Sequence, residues 1–411
     1  MKKTLILLIL LGLLVGCTTA VPEPEPEPVP LPPQTPSEEP AEPVNEEHLN
    51  ALRQFAQRSA SEIFGDSLKN ENYSPISLQI ALSMLVQGAD GQTKDEILET
   101  MGLTGADVDD VTSLMKSLIA NLAVNDEEGK VLLANALFSE ESFPMKESFA
   151  ERLRQDFHAM SESLPLKEKS SVERINAFIE QNTADKIKDA YAPSEDSEAV
   201  LVLINTLYAN LPWISKFSED ATESSVFHTL NGDVQAPFMH QQTGSSYLKA
   251  DTFEAASLRL GNHYKMTFVL PSEGMTPQDL LKKEGFLETL KKDMNYSEVK
   301  WSLPKFTYSA SMDLVDRLKS LGMEKAFRDD AEFPGISEIP TLVSGVIQKS
   351  FIDLNEEGVE AAAVTIISVD PTAAPPAEVI DFTLDRPFLY LLESHDGVVL
   401  FIGIVQDPTA M

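Results

Sequence analysis

The sequence predicts an α+β domain with largely antiparallel or mixed sheets. Through the first half, apolar residues recur at three- and four-residue intervals, the spacing of helices that bury one face. The second half is rich in short runs of β-branched and aromatic residues, which are typical of strands. Because the two kinds of segment do not alternate regularly, a parallel βαβ architecture is disfavoured. No Pro-rich linker follows residue 45, so we predict a single domain over 45–411.

Three segments carry the helical pattern most clearly. The segment 46–65 forms one apolar stripe from Leu49, Leu52, Phe55, Ala56, Ile63 and Phe64. The segment 74–91, SPISLQIALSMLVQGADG, is apolar enough to predict a central helix that ends at Gly88 or soon after. A third helix is predicted over 172–187.

Six runs carry the strand pattern. They lie at 201–210, 246–261, 264–271, 298–310, 343–354 and 398–408. Each is bounded by turn-forming residues or by polar segments, so we expect these runs to supply most of the sheet structure.

The first sixteen residues predict an export signal. Lys2 and Lys3 precede an apolar run that is too short for a comfortable membrane span. The run ends in Leu14-Val15-Gly16-Cys17, which resembles the lipobox of prokaryotic lipoproteins and implies a diacylglyceryl group on the Cys17 sulfur. We expect a signal peptide over 1–16; the alternative is an ordinary signal peptide with a chance cysteine. Cys17 is the sole cysteine, which excludes an intrachain disulfide and a catalytic thiol elsewhere.

Residues 17–44 predict a lipidated cysteine followed by a stalk. Ten of the 23 residues from 21 to 43 are prolines, which favours polyproline II. At about 3.1 Å per residue, such a segment extends up to roughly 70 Å. The formal charge of the chain is −33, from 32 basic and 65 acidic residues. We therefore expect no nucleic acid and no heparin-like polyanion as a partner, and membrane contact only through the lipid.

Catalytic motifs are absent from the sequence. It contains no HExxH, GxSxG, P-loop or GxGxxG, and its six histidines lack metal-ligand spacing. SxxK occurs at several places, among them 113–116 and 302–305, but the SDN and KTG elements of penicillin-binding enzymes are missing. We expect no catalytic residue, metal or cofactor, and a function in binding or inhibition.

Five segments between residues 72 and 408 match one protein family in their motifs and order. They are NYSPIS with the later GADG turn, LVLINTLYANLPW, LPKFTYSASMDLVDRLKSLGMEKAF, FIDLNEEGVEAAAVT and RPFLYLLESHDGVVLFIGIVQDP. Together they resemble the serpin family of serine protease inhibitors, here as a prokaryotic lipoprotein member. The resemblance implies a serpin fold of about nine helices and three β-sheets, with a large mixed sheet (sheet A) and an exposed reactive loop.

The resemblance also implies a mechanism. A serine protease cuts the exposed loop and forms an acyl-enzyme, and the loop then inserts into sheet A as a new strand. The protease is carried across the molecule and distorted before water can release it. The partner is thus a serine protease in covalent complex, and we expect the inhibitor to be a monomer. The alternative is a non-inhibitory serpin-fold lipoprotein that acts as a binding module.

The hinge that would insert consists of Glu356, Gly358, Val359, Glu360, Ala361, Ala362 and Ala363. Side chains alternate between faces along a strand. Val359, Ala361 and the odd-numbered residues after them form a face of small or β-branched groups, which can be buried without an unpaired charge. Glu360 lies on the opposite face, where we expect contact with solvent. No proline interrupts 358–370, so each residue there can join a ladder.

The resemblance assigns two further clusters. At the top of sheet A, Lys305 is expected to pair with Glu356 near Trp213; the alternative is two exposed charges of little energetic value. The shutter, which hydrogen-bonds across the opening, would contain Ser74, Ser77, Asn205 and Gln348. Gln348 stands where the family usually has a histidine, so a different pH response is expected.

The reactive bond is expected between Thr372 and Ala373. The family cuts about fifteen residues into the loop, counted from the hinge glycine, and a shift of one or two residues would give Ala373–Ala374. Both flanking side chains are small and uncharged, and no Lys or Arg lies between Lys349 and Arg386. We therefore expect a protease with a small primary pocket, elastase-like or subtilisin-like.

Overall fold

The computed structural model describes residues 43–193, 200–292, 294–360 and 379–410. Its nine α-helices within these residues are α1 (Glu46–Phe64), α2 (Pro75–Val86), α3 (Gly91–Met101), α4 (Val108–Leu122), α5 (Glu147–Phe157), α6 (Lys169–Asn182), α7 (Pro277–Leu281), α8 (Phe286–Lys292) and α9 (Val315–Ser320). None of the helices in this part of the chain is long and apolar enough to span a bilayer.

Sixteen strands occupy the same residues. They are β1 (Glu71–Tyr73), β2 (Val124–Asp126), β3 (Gly129–Glu140), β4 (Met160–Leu164), β5 (Leu201–Pro212), β6 (Glu223–Thr229), β7 (Gly232–Lys249), β8 (Phe253–Arg259), β9 (Lys265–Pro271), β10 (Asn295–Pro304), β11 (Phe306–Asp313), β12 (Gly345–Leu354), β13 (Gly358–Val359), β14 (Ile380–Thr383), β15 (Phe388–Glu393) and β16 (Val399–Val405).

The large mixed sheet has the order β11-β12-β13-β5-β3-β2, with β4 added parallel to β3. The remaining strands follow the order β1-β16-β15-β9-β8-β7-β10-β14, and β6 pairs with β7. The long strand β7 joins the strands β6, β10 and β14 to the strands β8, β9, β15, β16 and β1. Most of β7 pairs with β6 and β10, and its C-terminal end pairs with β8. The two smaller sheets expected from the sequence are therefore joined through β7. The predicted α+β architecture is confirmed.

Helix α2 lies at the centre of the domain. The Ser74 side chain caps it by accepting a hydrogen bond from the Ser77 backbone N–H, and Pro75 occupies the first helical position, which lacks an intrahelical partner in any case. All of its residues are buried, because it contacts both β5 of the large sheet and β16 of the second group. The central helix and its end near Gly88 agree with the prediction.

Candidate functional site

The site is the seam between β5 and β12 in the large sheet. In the lower half of this seam the two strands pair directly and in parallel, from Gly345 opposite Val202 to Lys349 opposite Thr206. In the upper half they separate, and β13 lies between them, antiparallel to both. The described residues thus show a sheet that is closed below and already contains the first two residues of an additional strand above.

The two halves of the seam share one register. Neighbours on the two strands differ by 143 in residue number, both for Gly345 and Val202 in the ladder and for Leu354 and Leu211 beside Val359. A strand that extends from β13 can therefore follow both neighbours downward with no shift. Register matters because a slip of one residue sends every side chain to the opposite face.

Gly358 and Val359 already form this strand in the uncut chain, whereas we expected the hinge to enter the sheet only after cleavage. Gly358 has a φ of +154°, which residues with a Cβ rarely adopt, and it closes a turn through reciprocal backbone hydrogen bonds with Asn355. Val359 belongs to the hydrophobic core and is 3% exposed. A charge at this position would enter an apolar environment with no partner.

Glu356 is held at the top of the seam. Lys305 Nζ lies 2.6 Å from one of its carboxylate oxygens, and Thr222 Oγ1 donates to the other at 2.7 Å. Burial alone would raise the pKa of Glu356, but these hydrogen bonds and the lysine charge together lower it below its usual value. The predicted ion pair is present, and since Glu356 is buried, it is not a pair of exposed charges.

Trp213 stabilises the turn at 355–358 through two hydrogen bonds to its carbonyl groups. Its indole Nε1 donates to the Asn355 carbonyl at 2.9 Å, and its backbone N–H donates to the Glu357 carbonyl at 2.9 Å. The ring is fully buried and packs edge-on against Phe217. A buried indole needs such an acceptor, so Trp213 fixes where the chain turns back toward the sheet.

Glu360 differs from the expectation. It does lie on the face opposite Val359, but it is 8% exposed and not solvated. Its carboxylate meets Lys186 Nζ at 3.0 Å, and its φ is +49°. Burial raises the pKa of Glu360 despite this lysine. The prediction of solvent contact was wrong because the segment after α6 covers this face of the sheet.

Gln348 connects the lower half of the seam to α2. Its Oε1 accepts from the Ser74 N–H at 2.7 Å and its Nε2 donates to the Ser74 carbonyl at 2.9 Å. Gln348 lies directly opposite Asn205 in the ladder, and Asn205 Nδ2 donates to Asn135 Oδ1 at 2.6 Å. An amide side chain thus satisfies the backbone of the helix cap with both of its polar ends.

Several buried polar atoms around this cluster have no hydrogen-bond partner among the described residues. They are Ser77 Oγ, Asn205 Oδ1, Thr206 Oγ1, Asn135 Nδ2 and both side-chain polar atoms of Asn72. Ser77 therefore contributes its backbone N–H to the cap of α2, and not its hydroxyl.

Sequence reasoning placed Ser74, Asn205 and Gln348 together correctly but missed Asn135, Thr222 and Lys186. These three residues lie on other elements, and no local motif marks them. Ala361, Ala362, Ala363, Thr372, Ala373 and Cys17 lie outside the described residues. Within the described ranges, no group of three or more His, Cys, Asp or Glu side chains could hold a metal ion.

Comparison with known proteins agrees with this architecture. The family model for serpins, described as serine protease inhibitors, matches residues 50–408. Serpin-Z1B of Triticum aestivum is 32% identical over 86% of this chain and 94% of its own length. Among solved structures, the native state of the thermophilic serpin Tengpin superposes with a TM-score of 0.81, at 26% identity over 89% of this chain and 96% of that one. Thyroxine-binding globulin in complex with thyroxine gives a TM-score of 0.80, at 25% identity over 89% of this chain and 100% of that one.

The chain belongs to the serpin family. Membership accounts for the mixed sheet with a hinge between β5 and β12, and it supports protease inhibition in general, because the family is one of serine protease inhibitors. One similar structure is a thyroxine-binding globulin solved with thyroxine, so the fold alone does not determine the activity.

Proposed function

We propose that this serpin is a membrane-tethered suicide inhibitor of serine proteases that have a small primary pocket. The observation that carries the proposal is the hinge at Gly358–Val359, which already pairs with both β5 and β12 in the register of the closed ladder. A loop that served only as a substrate would have no need of this alignment.

The chemical step belongs to the protease. Its serine Oγ adds to the carbonyl carbon of Thr372, and the bond to Ala373 breaks. The nitrogen of Ala373 leaves with a proton as a free amine, and Thr372 remains bound as an ester. The inhibitor supplies the next step, which is insertion before water can hydrolyse that ester.

Insertion has a defined path. Counting down from Val359, opposite Leu354 and Leu211, brings Thr365 opposite both Gln348 and Asn205. The fourteen residues 359–372, fully extended at roughly 3.3 Å each, span about 46 Å, so an attached protease would travel most of the length of the domain. The direct ladder between β5 and β12 must open on the way.

The tether rests on the sequence. The apolar run before Cys17 and the proline-rich segment 21–43 support a lipid anchor followed by a stalk. Incorporation of a radiolabelled fatty acid by the wild type, and its loss in Cys17→Ser, is the expected result. Equal labelling of both proteins would contradict the anchor without bearing on inhibition.

Incubation with an elastase-like or subtilisin-like protease tests the inhibitory mechanism. We expect a protease–serpin complex that survives denaturing electrophoresis, and a large rise in thermal stability of the cleaved chain. Val359→Arg should abolish the complex but leave cleavage, because burying an unpaired guanidinium costs several kcal/mol. Val379→Arg is the matched control, since Val379 is 41% exposed and lies beyond the inserted segment.

Clean cleavage of the wild type with no complex, against several such proteases, would reject inhibition and favour the binding-module alternative. If Val359→Arg forms complex at the wild-type yield, the insertion path drawn from β13 is wrong. Sequencing of the released C-terminal fragment distinguishes Thr372–Ala373 from Ala373–Ala374.

A further inference from the structure

Lys186 is a charged residue that contacts the hinge from outside the sheet. It lies in the segment that follows α6 (Lys169–Asn182), and its Nζ is 3.0 Å from Glu360 Oε1. The same ammonium group lies 5.3 Å from the centre of the Phe351 ring on β12. Lys186 thus reaches across the upper seam from the face opposite the core.

Glu360 already makes one of the backbone hydrogen bonds that it would make in a fully inserted strand. Its backbone N–H donates to the Asp353 carbonyl at 2.7 Å, and Asp353 is the next residue down β12 from the partner of Val359. What remains non-extended is its φ of +49°, where β13 ends. An extended Glu360 in this register would carry its side chain on the same face as Asp353 and Phe351, which is the face that Lys186 contacts, so the ion pair can re-form when the strand lengthens.

Two groups favour the ionised form of Glu360: the Lys186 ammonium and a hydrogen bond from Tyr208. Tyr208 faces it from β5, and the pKa of Tyr208 is raised to about 12 by burial and by the Glu360 charge. The Asp353 carboxylate, which faces it from β12, opposes its ionisation. Among the described residues, Lys186 is the cation that pairs with Glu360.

We infer that Lys186 is a positioning residue that fixes the register in which the hinge enters the sheet. A slip of one residue would turn Glu360 toward the core and Val359 toward α6. Lys186 favours the correct register because it offers a counter-charge on one face only. This inference rests on the proposed function, since the register matters for inhibition only if the loop inserts.

Without Lys186, we expect the hinge to leave the seam more often in the uncut protein. Insertion after cleavage would then start later, and more acyl-enzyme would hydrolyse before it is trapped. Lys186 is therefore expected to affect the stoichiometry of inhibition, the number of inhibitor molecules consumed per protease trapped, and not the rate of the first attack.

Hydrogen exchange of the full, uncut chain tests this directly, with no protease present. In Lys186→Ala, we expect amide exchange in the segment 355–360 to accelerate by up to about fivefold, the scale of a half-exposed ion pair. Lys188→Ala is the matched control. Lys188 lies two residues further along and pairs at 3.1 Å with Glu180, away from the hinge. Exchange of 355–360 should be unchanged there.

A charge exchange separates register control from loss of packing. Lys186→Glu and Glu360→Lys should each accelerate exchange in this segment, and the double variant should recover most of the protection. Stoichiometry of inhibition should rise in each single variant and fall back in the double variant.

Two results would overturn the inference: exchange in Lys186→Ala no faster than in Lys188→Ala, or a double variant no better protected than the worse single variant. If the exchange results are as expected but no variant and no wild type forms a complex, the positioning role stands and the proposed function fails.

Discussion

The upper and lower halves of the β5–β12 seam are built in opposite ways. The upper half holds β13, with Glu356 and Glu360 fixed on either side of it by lysines from other elements. The lower half is closed by a direct parallel ladder, and Gln348 links that ladder to the cap of α2. If the loop inserts as proposed, insertion would begin in the upper half and would be resisted in the lower half.

This separation would allow the reactive loop to stay outside the large sheet while its first two residues are already paired within it. A strand that extends from the hinge needs no change of register, because β13 already pairs with β5 and β12 in the register of the lower ladder. Under the proposed mechanism, the cost of insertion would fall mainly on the lower ladder and the polar cluster around Asn205 and Gln348.

Locking the lower half should have the largest effect. Ile204 and Ile347 are direct neighbours in the ladder, so cysteines at both positions have the spacing that a disulfide requires. We expect the oxidised double variant to be cleaved but to form no covalent complex, and reduction to restore the complex. Electrophoresis with and without reductant measures both.

The control for the lock is each single cysteine variant, which should trap protease with or without reductant. If the oxidised double variant still forms complex at the wild-type yield, the lower ladder does not have to open. The inserted strand would then lie elsewhere than between β5 and β12.

Weakening the lower half should have an intermediate effect. Gln348→Ala removes two hydrogen bonds. The Ser74 carbonyl keeps its bond from the Leu78 N–H, but the Ser74 N–H is left buried without a partner, at a cost of about 1–3 kcal/mol. We expect the uncut protein to melt a few degrees lower and to lose complex-forming capacity faster on warm incubation. Differential scanning calorimetry and timed inhibition assays check these two outcomes.

Gln87→Ala is the matched control, because Gln87 follows the other end of α2 and lies outside the seam. A Gln348→Ala protein that melts and keeps its activity like Gln87→Ala would show that the shutter does not limit opening. Gln348→His should introduce a pH dependence between about pH 5 and 8 that the wild type lacks at this position.

The two halves also differ in how far the sequence could predict them. Period-two alternation placed Val359 on the core face and Glu360 on the other, which is what the structure has. Alternation says nothing about what covers the second face, so the burial of Glu360 was missed. Thr222 and Asn135 were missed for a related reason: their contacts to Glu356 and Asn205 cross 134 and 70 residues of chain.

Titration of the Glu356 and Glu360 carboxylates should have the smallest effect on stability, but the two effects should have opposite signs. The pKa of Glu356 is lowered in the folded protein, so its contribution to stability is present above its ordinary value of 4.5 and is lost as the pH falls below it. The pKa of Glu360 is raised, so its contribution is present below 4.5 and is lost as the pH rises through the raised value. The two groups thus have opposite signs and separate pH windows.

Melting curves of the uncut protein across this range, with Glu356→Gln and Glu360→Gln beside the wild type, test the contrast. As the pH falls below about 4.5, the melting temperature of Glu356→Gln should drop less than that of the wild type. As the pH rises above about 4.5, the melting temperature of Glu360→Gln should drop less than that of the wild type. We expect each difference to be on the order of 1 °C. The direction follows from the surroundings, because Lys305 and Thr222 outweigh burial at Glu356, whereas Lys186 does not at Glu360. Parallel pH profiles for the two variants would show that the hinge carboxylates share one environment.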